Sequence, residues 1–275
     1  MRMRFNLLLL SLVLLLAACS PKGPYVLSNK VYHKQVDSIK KVIAKKDPLD
    51  LRDTAGVTIT SSFIGTVNFN ARKPNFVIIH FTAQDTVVET LKTFVRAKTQ
   101  VSAHYVIARN GTVYHMLNDY LRAWHAGVSR WGNITDMNSC SIGIELDNNG
   151  NEPYPKEQIN SLLFLLARLK KLYNIPITNF LGHQDIAPGR KPDPGPYFPW
   201  RLLAQHGFGY WSDDVLEIPP NSFDPAIALK MMGYDTHDIT AAVVAFKRHF
   251  VQTDFSPQLT QLDLNVLYNV YQKYQ

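Results

Sequence analysis

The stretch FVIIHFTAQDTVVETLKTFVRAKTQVSAHYVIARNGTVYHML, residues 76–117, carries both kinds of hydrophobic period. Phe76-Val77-Ile78-Ile79-His80 is a short apolar run rich in β-branched residues, which reads as a buried strand. From Thr86 to Thr99 the apolar positions fall at Val87, Val88, Leu91, Phe94 and Val95, a helical spacing. Ala103–Ala108 reads as a second strand. Asn110-Gly111 is the strongest short hairpin signal in the chain, so Thr112–Leu117 returns as the next strand. A strand, a helix and then a hairpin predict an α/β fold with a mixed central β-sheet flanked by helices.

The flanking sequence extends that pattern. Ser141–Leu146 is a further strand, ended by Asn148-Asn149-Gly150. Pro155–Tyr173 is a long amphipathic helix with Leu162, Leu163, Leu165, Leu166, Leu169 and Leu172 on a broad apolar face. Residues 61–211 therefore form the main domain. Pro219-Pro220 sits in a stiff polar linker, 212–223. Residues 224–275 predict a small C-terminal domain of three helices with a turn at Gly233, and Val243, Val244, Phe246 and Phe250 recur at helical spacing. Such a piece is too small for a core of its own and is expected to pack against the main domain. Upstream, residues 19–60 are polar and read as a tether and lead-in with one short helix near 33–46.

The first twenty residues are set apart. Arg2 and Arg4 precede an apolar run, Leu7–Leu16, too short to span a bilayer comfortably, and then comes Leu16-Ala17-Ala18-Cys19. This order reads as a secretory signal, residues 1–18, and the end of it resembles the lipobox of bacterial lipoproteins. That implies cleavage before Cys19 and lipid attachment to it. Ser20 rather than Asp after the cysteine implies an outer-membrane anchor facing the periplasm. The chain has two Cys, so with Cys19 lipidated an intramolecular disulfide is not possible, and the apolar setting of Cys140 favours a small core residue over a nucleophile. The remaining composition is ordinary for a globular protein: 275 residues, 46% hydrophobic, 19% charged, with 4 Trp, 13 Tyr and 14 Phe. Loss of Arg2 and Arg4 takes the net charge from +7 to +5. A modest positive charge suits a carboxylate-bearing polymer; the secretion signal argues against nucleic acid.

Three places carry chemistry. His80 ends the 76–79 strand, where α/β folds place reactive groups, although a lone His reads more readily as a satisfied core residue. Gly182-His183-Gln184-Asp185-Ile186-Ala187-Pro188-Gly189-Arg190-Lys191-Pro192-Asp193-Pro194-Gly195 holds three Pro and three Gly and reads as a loop. Pro192 between Lys191 and Asp193 favours an extended backbone that points both side chains one way; Asp193-Pro194-Gly195 also fits a plain turn. Glu145 interrupts an apolar strand. It is either functional, because burying a carboxylate is costly, or an outward residue on a half-solvated sheet. Two imidazoles and a carboxylate with one position open is the ligand set of a catalytic zinc site. His80, His183 and Asp193 supply it, but from distant segments whose spacing settles nothing.

VIIHFT, SAHYVIARNGTVYHML at 102–117, RAWHAG at 122–127, SIGIEL at 141–146 and GHQDIAPGRKPDPGPYFPW at 182–200 together resemble the type-2 N-acetylmuramoyl-L-alanine amidases. Those include zinc phage lysozymes and peptidoglycan recognition proteins, and within them the chain is most similar to the outer-membrane lipoprotein amidases. The resemblance implies one zinc ion on His80, His183 and Asp193, with Glu145 and Lys191 catalytic. Glu145 is expected to move protons and Lys191 to stabilise the oxyanion. The bond cut is the amide between N-acetylmuramic acid and L-alanine in peptidoglycan or muropeptides. Some relatives carry a Tyr where Ala103 stands and others a Cys in place of Asp193; the combination here resembles the Glu–Lys branch. Trp124 and His125 are candidates for the substrate groove, with core packing an equal reading for Trp124, while His104 and His115 read as structural. The 224–275 helices resemble the small peptidoglycan-binding domain, without its usual glycine-containing loop. A non-catalytic binding module and a purely structural lipoprotein are the competing functions; both leave the Glu145–Lys191 pair without a purpose.

Overall fold

The structure, a computed structural model, describes residues 23–45 and 73–275. The signal at 1–18, Cys19, and residues 20–22 and 46–60 of the tether lie outside the described residues, as do residues 61–72 of the expected main domain. Two units divide the chain, 1–69 and 70–275. In the first, helix α1 runs Val26–Lys45, earlier and longer than the short helix expected near 33–46. Pro24 lies just ahead of the first turn, where its fixed φ suits a helix start, and nothing after it breaks the run. Among the described residues no helix is long and apolar enough to cross a membrane.

The second unit is built on five strands: β1 (Phe76–Phe81), β2 (Tyr105–Ile107), β3 (Val113–His115), β4 (Ser141–Leu146) and β5 (Phe180–Gly182). Their order is β3-β2-β4-β1-β5. β1 pairs in parallel with both β4 and β5, β2 pairs in parallel with β4, and the β2–β3 hairpin is antiparallel. The sheet is therefore mixed. Helix α2 (Val87–Phe94) begins at Thr86, whose side chain accepts the Glu89 N–H, and one 3-10 turn at Ala97–Thr99 replaces the rest of the expected helix. The hairpin turn holds Gly111 at φ +84°, and a Cβ there would meet the Glu157 carbonyl oxygen at 2.8 Å, so only glycine fits.

Strand alternation divides the core between the two faces. Val77, Ile79, Ile142, Ile144 and Leu146 pack beneath α3 (Lys156–Tyr173), against Ile159, Leu162, Leu165, Leu166 and Leu169. Leu172 departs from expectation: it lies at the edge of the apolar arc in the last turn and is 67% exposed. Phe76 and Ile78 face the other way, where they join Leu181, Ile186 and the C-terminal helices in one cluster. Complete burial of Val77, Ile78 and Ile79 contributes roughly 1.5–3 kcal/mol per side chain.

Two short helices, α4 (His183–Ile186) and α5 (Trp200–Gln205), lead to α6 (Pro225–Met232), α7 (Ile239–Phe250) and α8 (Gln261–Gln272). Asp224, Asp238 and Thr260 cap these last three. Ala228, Leu229, Phe246 and Leu267 are buried in the same cluster as β1. Lys247, wholly buried, bonds to Asp254 and lies 3.0 Å from Asp263 and 2.9 Å from the Gln258 carbonyl. A buried ammonium is tolerable only with such pairing, and here it pins the connection between α7 and α8. Cys140 is half-buried against that cluster, its thiol 3.7 Å from the Met137 carbonyl.

Candidate metal centre

The carboxyl ends of β4, β1 and β5 lie side by side, the place where open α/β sheets gather ligands. His80 shares the face of Phe76 and Ile78, and Glu145 shares the face opposite Ile144 and Leu146. His80 and Glu145 are register partners across the β1–β4 pair, so both reach the same edge on the same face. β5 stops at Gly182 and passes directly into α4, which presents His183. The segment expected as pure loop thus opens with a helical turn, because the Asp185 carboxylate accepts the Gly182 N–H at 2.7 Å. The Gln184 N–H donates to the Asp193 carbonyl at 2.8 Å, which folds the chain back and sets Asp193 beside His183.

Hydrogen bonding fixes which imidazole nitrogens carry protons. The Ser141 hydroxyl donates to the Met137 carbonyl at 2.6 Å. It can then only accept from His125 Nε2, 3.2 Å away, so His125 Nδ1 is an acceptor. It takes the proton of His80 Nε2 at 3.0 Å, leaving His80 Nδ1 with a bare lone pair. On the other side the Ala126 carbonyl, 3.0 Å from His183 Nε2, can only accept. The Arg190 guanidinium lies 3.3 Å from the same nitrogen but bonds at shorter range to the Ala126 and Val128 carbonyls, so Nε2 carries the proton and Nδ1 is bare in turn. His80 Nδ1, His183 Nδ1 and Asp193 Oδ2 lie 3.0 Å apart in all three pairs, and all three side chains are buried. In these tautomers no proton separates the two nitrogens, so a cation is what reconciles the three converging lone pairs. Donors on one tetrahedral zinc stand about 3.3 Å apart, given bonds of about 2.0–2.1 Å. The three residues therefore form a possible metal site, and their chemistry fits a divalent ion.

The charge states agree with that fit. Burial, and then the neighbouring His183, pushes His80 down to about 4, which keeps it neutral near pH 7 as a ligand must be. Burial, then His80 and His104, holds His125 well below the usual imidazole range. Burial opposes ionisation of Asp193, but its contacts with His183 and His80 outweigh that and hold its carboxyl below the usual carboxylate range. Glu145 moves the opposite way. Burial and then the charge of Asp193 raise it well above the ordinary carboxylate range, with Lys191 pulling against them. Two carboxyls pushed apart in this way are suited to different tasks, one to hold a cation and one to carry protons.

A cleft of about 410 Å³ is lined by His80, Glu145, His183, Lys191 and Asp193, with Trp124, Phe94 and Val101 also on its walls. All five residues of the proposed centre thus meet in one cavity. Trp124 is 50% exposed there, available to a ligand. His125 also lines the cleft, but it is 8% exposed and both its ring nitrogens are engaged, by His80 and by Ser141. His104 donates from Nε2 to the Leu121 carbonyl and accepts the Gly143 N–H at Nδ1. His115 stacks on Tyr105, and neither of these two histidines belongs to the triad. Sequence reasoning missed Ser141, Asn138 and Arg190. Asn138 Oδ1 accepts the backbone N–H of both His125 and Ala126, and Arg190 donates to the Ala126 and Val128 carbonyls. One signal was present: a Cβ on Gly143 would meet the His125 ring at 2.4 Å, and glycine inside a strand marks such a close approach.

Known proteins carry the same arrangement of elements. The N-acetylmuramoyl-L-alanine amidase family model matches residues 70–196. The N-acetylmuramoyl-L-alanine amidase AmiD of Escherichia coli is 36% identical over 208 residues, spanning 64% of this chain and 74% of that protein. The crystal structure of AmpDh3 from Pseudomonas aeruginosa superposes with a TM-score of 0.67 at 29% identity, covering 79% of this chain and 99% of that one. A complex of Escherichia coli AmiD with the substrate anhydro-N-acetylmuramic acid-L-Ala-D-γ-Glu-L-Lys gives a TM-score of 0.66 at 28% identity, over 81% and 97%. With these matches and this site, the chain belongs to the type-2 N-acetylmuramoyl-L-alanine amidase family.

Proposed function

We propose that the protein hydrolyses the amide between N-acetylmuramic acid and L-alanine, in peptidoglycan or in muropeptides, with one zinc ion held by His80, His183 and Asp193. The observation that carries this reading is the convergence of three buried lone pairs at 3.0 Å in a cleft that also holds Glu145 and Lys191. The names of the relatives supply the substrate class. Bound there, zinc supplies Lewis acidity toward the scissile carbonyl and toward water. Glu145, its carboxyl raised above the ordinary range by burial, accepts the proton of the attacking water and returns it to the leaving amine. Lys191 places a positive charge where the tetrahedral oxyanion develops. Trp124 offers an aromatic wall to the muropeptide. A lipid on Cys19 would hold the enzyme at the outer membrane, facing the periplasm, with 61–211 as the catalytic domain and 224–275 as its helical companion.

The test is metal analysis of the purified protein together with mass analysis of products from intact sacculi and from soluble anhydro-muropeptide. Stoichiometric zinc and release of free stem peptide from either substrate is the expected result. Bound zinc with neither substrate cut would overturn the reading and favour a binding module.

A further inference from the structure

Asp185 is wholly buried two residues beyond His183. Its carboxylate accepts three hydrogen bonds. Gly182 N–H reaches Oδ2 at 2.7 Å, His249 Nδ1 reaches Oδ2 at 2.8 Å, and the Tyr234 hydroxyl reaches Oδ1 at 3.0 Å. Two of the three donors come from the C-terminal helices: Tyr234 follows α6 and His249 lies in α7. Burial, then the charge of Asp185, raises the Tyr234 phenol well above its usual range, so it remains a donor. The His249 ring also stacks on Trp200 at 3.8 Å between centroids. From the end of α7, Gln252 donates to the Phe198 and Pro196 carbonyls at 2.7 and 3.2 Å, on the segment that follows Asp193. The C-terminal helices thus hold both segments that supply His183 and Asp193, while Tyr234, His249 and Gln252 take no part in lining the cleft.

Geometry makes this support necessary. α4 has only four residues, far short of the ~12–15 at which an isolated helix becomes even marginal in water. The direction of His183 is therefore set by what grips the turn. Metal ligands must be held within about 0.5 Å of their productive positions. We infer that Tyr234 and His249 are positioning residues of the amidase site, acting through Asp185 on His183 and setting the metal affinity of the triad from the C-terminal helices. The inference rests on the metal reading of His80, His183 and Asp193.

The experiment measures apparent zinc affinity of the full chain by competition with a chromophoric chelator, alongside Tm. His249→Ala is expected to weaken zinc binding about tenfold or more, and Tyr234→Phe, which removes a single oxygen, by a few-fold. His249→Asn restores an N–H donor near Nδ1 and should recover most of the loss. Asp254→Asn, which removes one of the two carboxylates paired with Lys247 in the same helices but leaves Asp185 untouched, should lower Tm with zinc affinity unchanged. If His249→Ala does not fold, Tyr234→Phe and Asp185→Asn carry the test. Wild-type zinc affinity in Tyr234→Phe and the His249 variants, with Tm lowered as in Asp254→Asn, would overturn the inference while His183→Ala still lost the metal. Equal affinity in wild type and His183→Ala would sink the metal reading and this inference with it.

Discussion

His80 and His183 meet at nitrogens 3.0 Å apart, yet the chain holds them in opposite ways. His80 lies one residue before the end of β1, a strand paired on both sides, by β4 and, as far as Ile79, by β5. Its ring is locked by a chain of donors through His125 and Ser141 to the Met137 carbonyl, all within the sheet and its connecting loops. His183 stands on a four-residue turn, steadied by the Ala126 carbonyl and by an aspartate that the C-terminal helices grip. A sheet edge can present one ligand unaided. The second must be wrapped, and here the wrapping comes from outside the residues matched by the family model, 70–196. The strand half should therefore answer to local substitutions and the turn half to distant ones.

The largest effects leave no difference between the halves. His80→Ala and His183→Ala each remove a ligand and should each cut turnover by roughly 10³–10⁴, the worth of several kcal/mol of metal chemistry, with zinc lost in parallel. A variant of either half that kept both zinc and activity would break the pairing of the two ligands. Next come the residues that carry charge rather than metal. Glu145→Gln should lower kcat about 10²–10⁴-fold and Lys191→Ala about 10²–10³-fold, each with bound zinc retained. Loss of zinc in Glu145→Gln would show that the strand half cannot be divided into ligand and proton carrier.

Smaller again is His125→Ala, which should weaken zinc roughly 10–100-fold by releasing the His80 ring. Ser141→Ala, one bond further out, should do less. If His125→Ala bound zinc as wild type does, the strand alone would suffice to orient His80, and the contrast between the halves would be greater than drawn here.

The strand half was also the more legible in sequence. Two apolar runs and an Asn-Gly turn give β1, β4 and the hairpin, because period and turn chemistry are local properties. The strand ends at 103–108 and 112–117 were trimmed to 105–107 and 113–115, and Leu172 was misplaced by one edge of a helical arc. In the turn half, three Pro and three Gly hid the helical turn at His183, whose cause is a buried aspartate bonded to residues about fifty and sixty positions away. His, Lys and Asp in that segment were visible as residue types. Their convergence with His80 depends on the parallel register of β1 with β5, which no local period encodes. His125 over Gly143 was invisible for the same reason, and only the glycine inside a strand hinted at it.

The smallest effect separates the halves by sign. Glu145, on the strand half, has its folded carboxyl raised above the usual range, so charging it in the fold costs stability. That cost is absent below the ordinary glutamate value, about pH 4, and grows as pH rises towards the raised one. Asp193, on the turn half, is held below the usual range, so its charge adds stability above the ordinary aspartate value, and this is lost as pH falls through the folded one. In the metal-free protein Glu145→Gln should therefore raise Tm at pH 8 by a few degrees, with the gain vanishing towards pH 4. Asp193→Asn should lower Tm at pH 8, with the loss shrinking in acid. Each kcal/mol corresponds to about 2–4 °C in a chain of this size, within reach of calorimetry across a pH series. Tm curves for the two variants that ran parallel to wild type would show that both carboxyls titrate alike in the folded and unfolded chain, and that neither half tunes its acid.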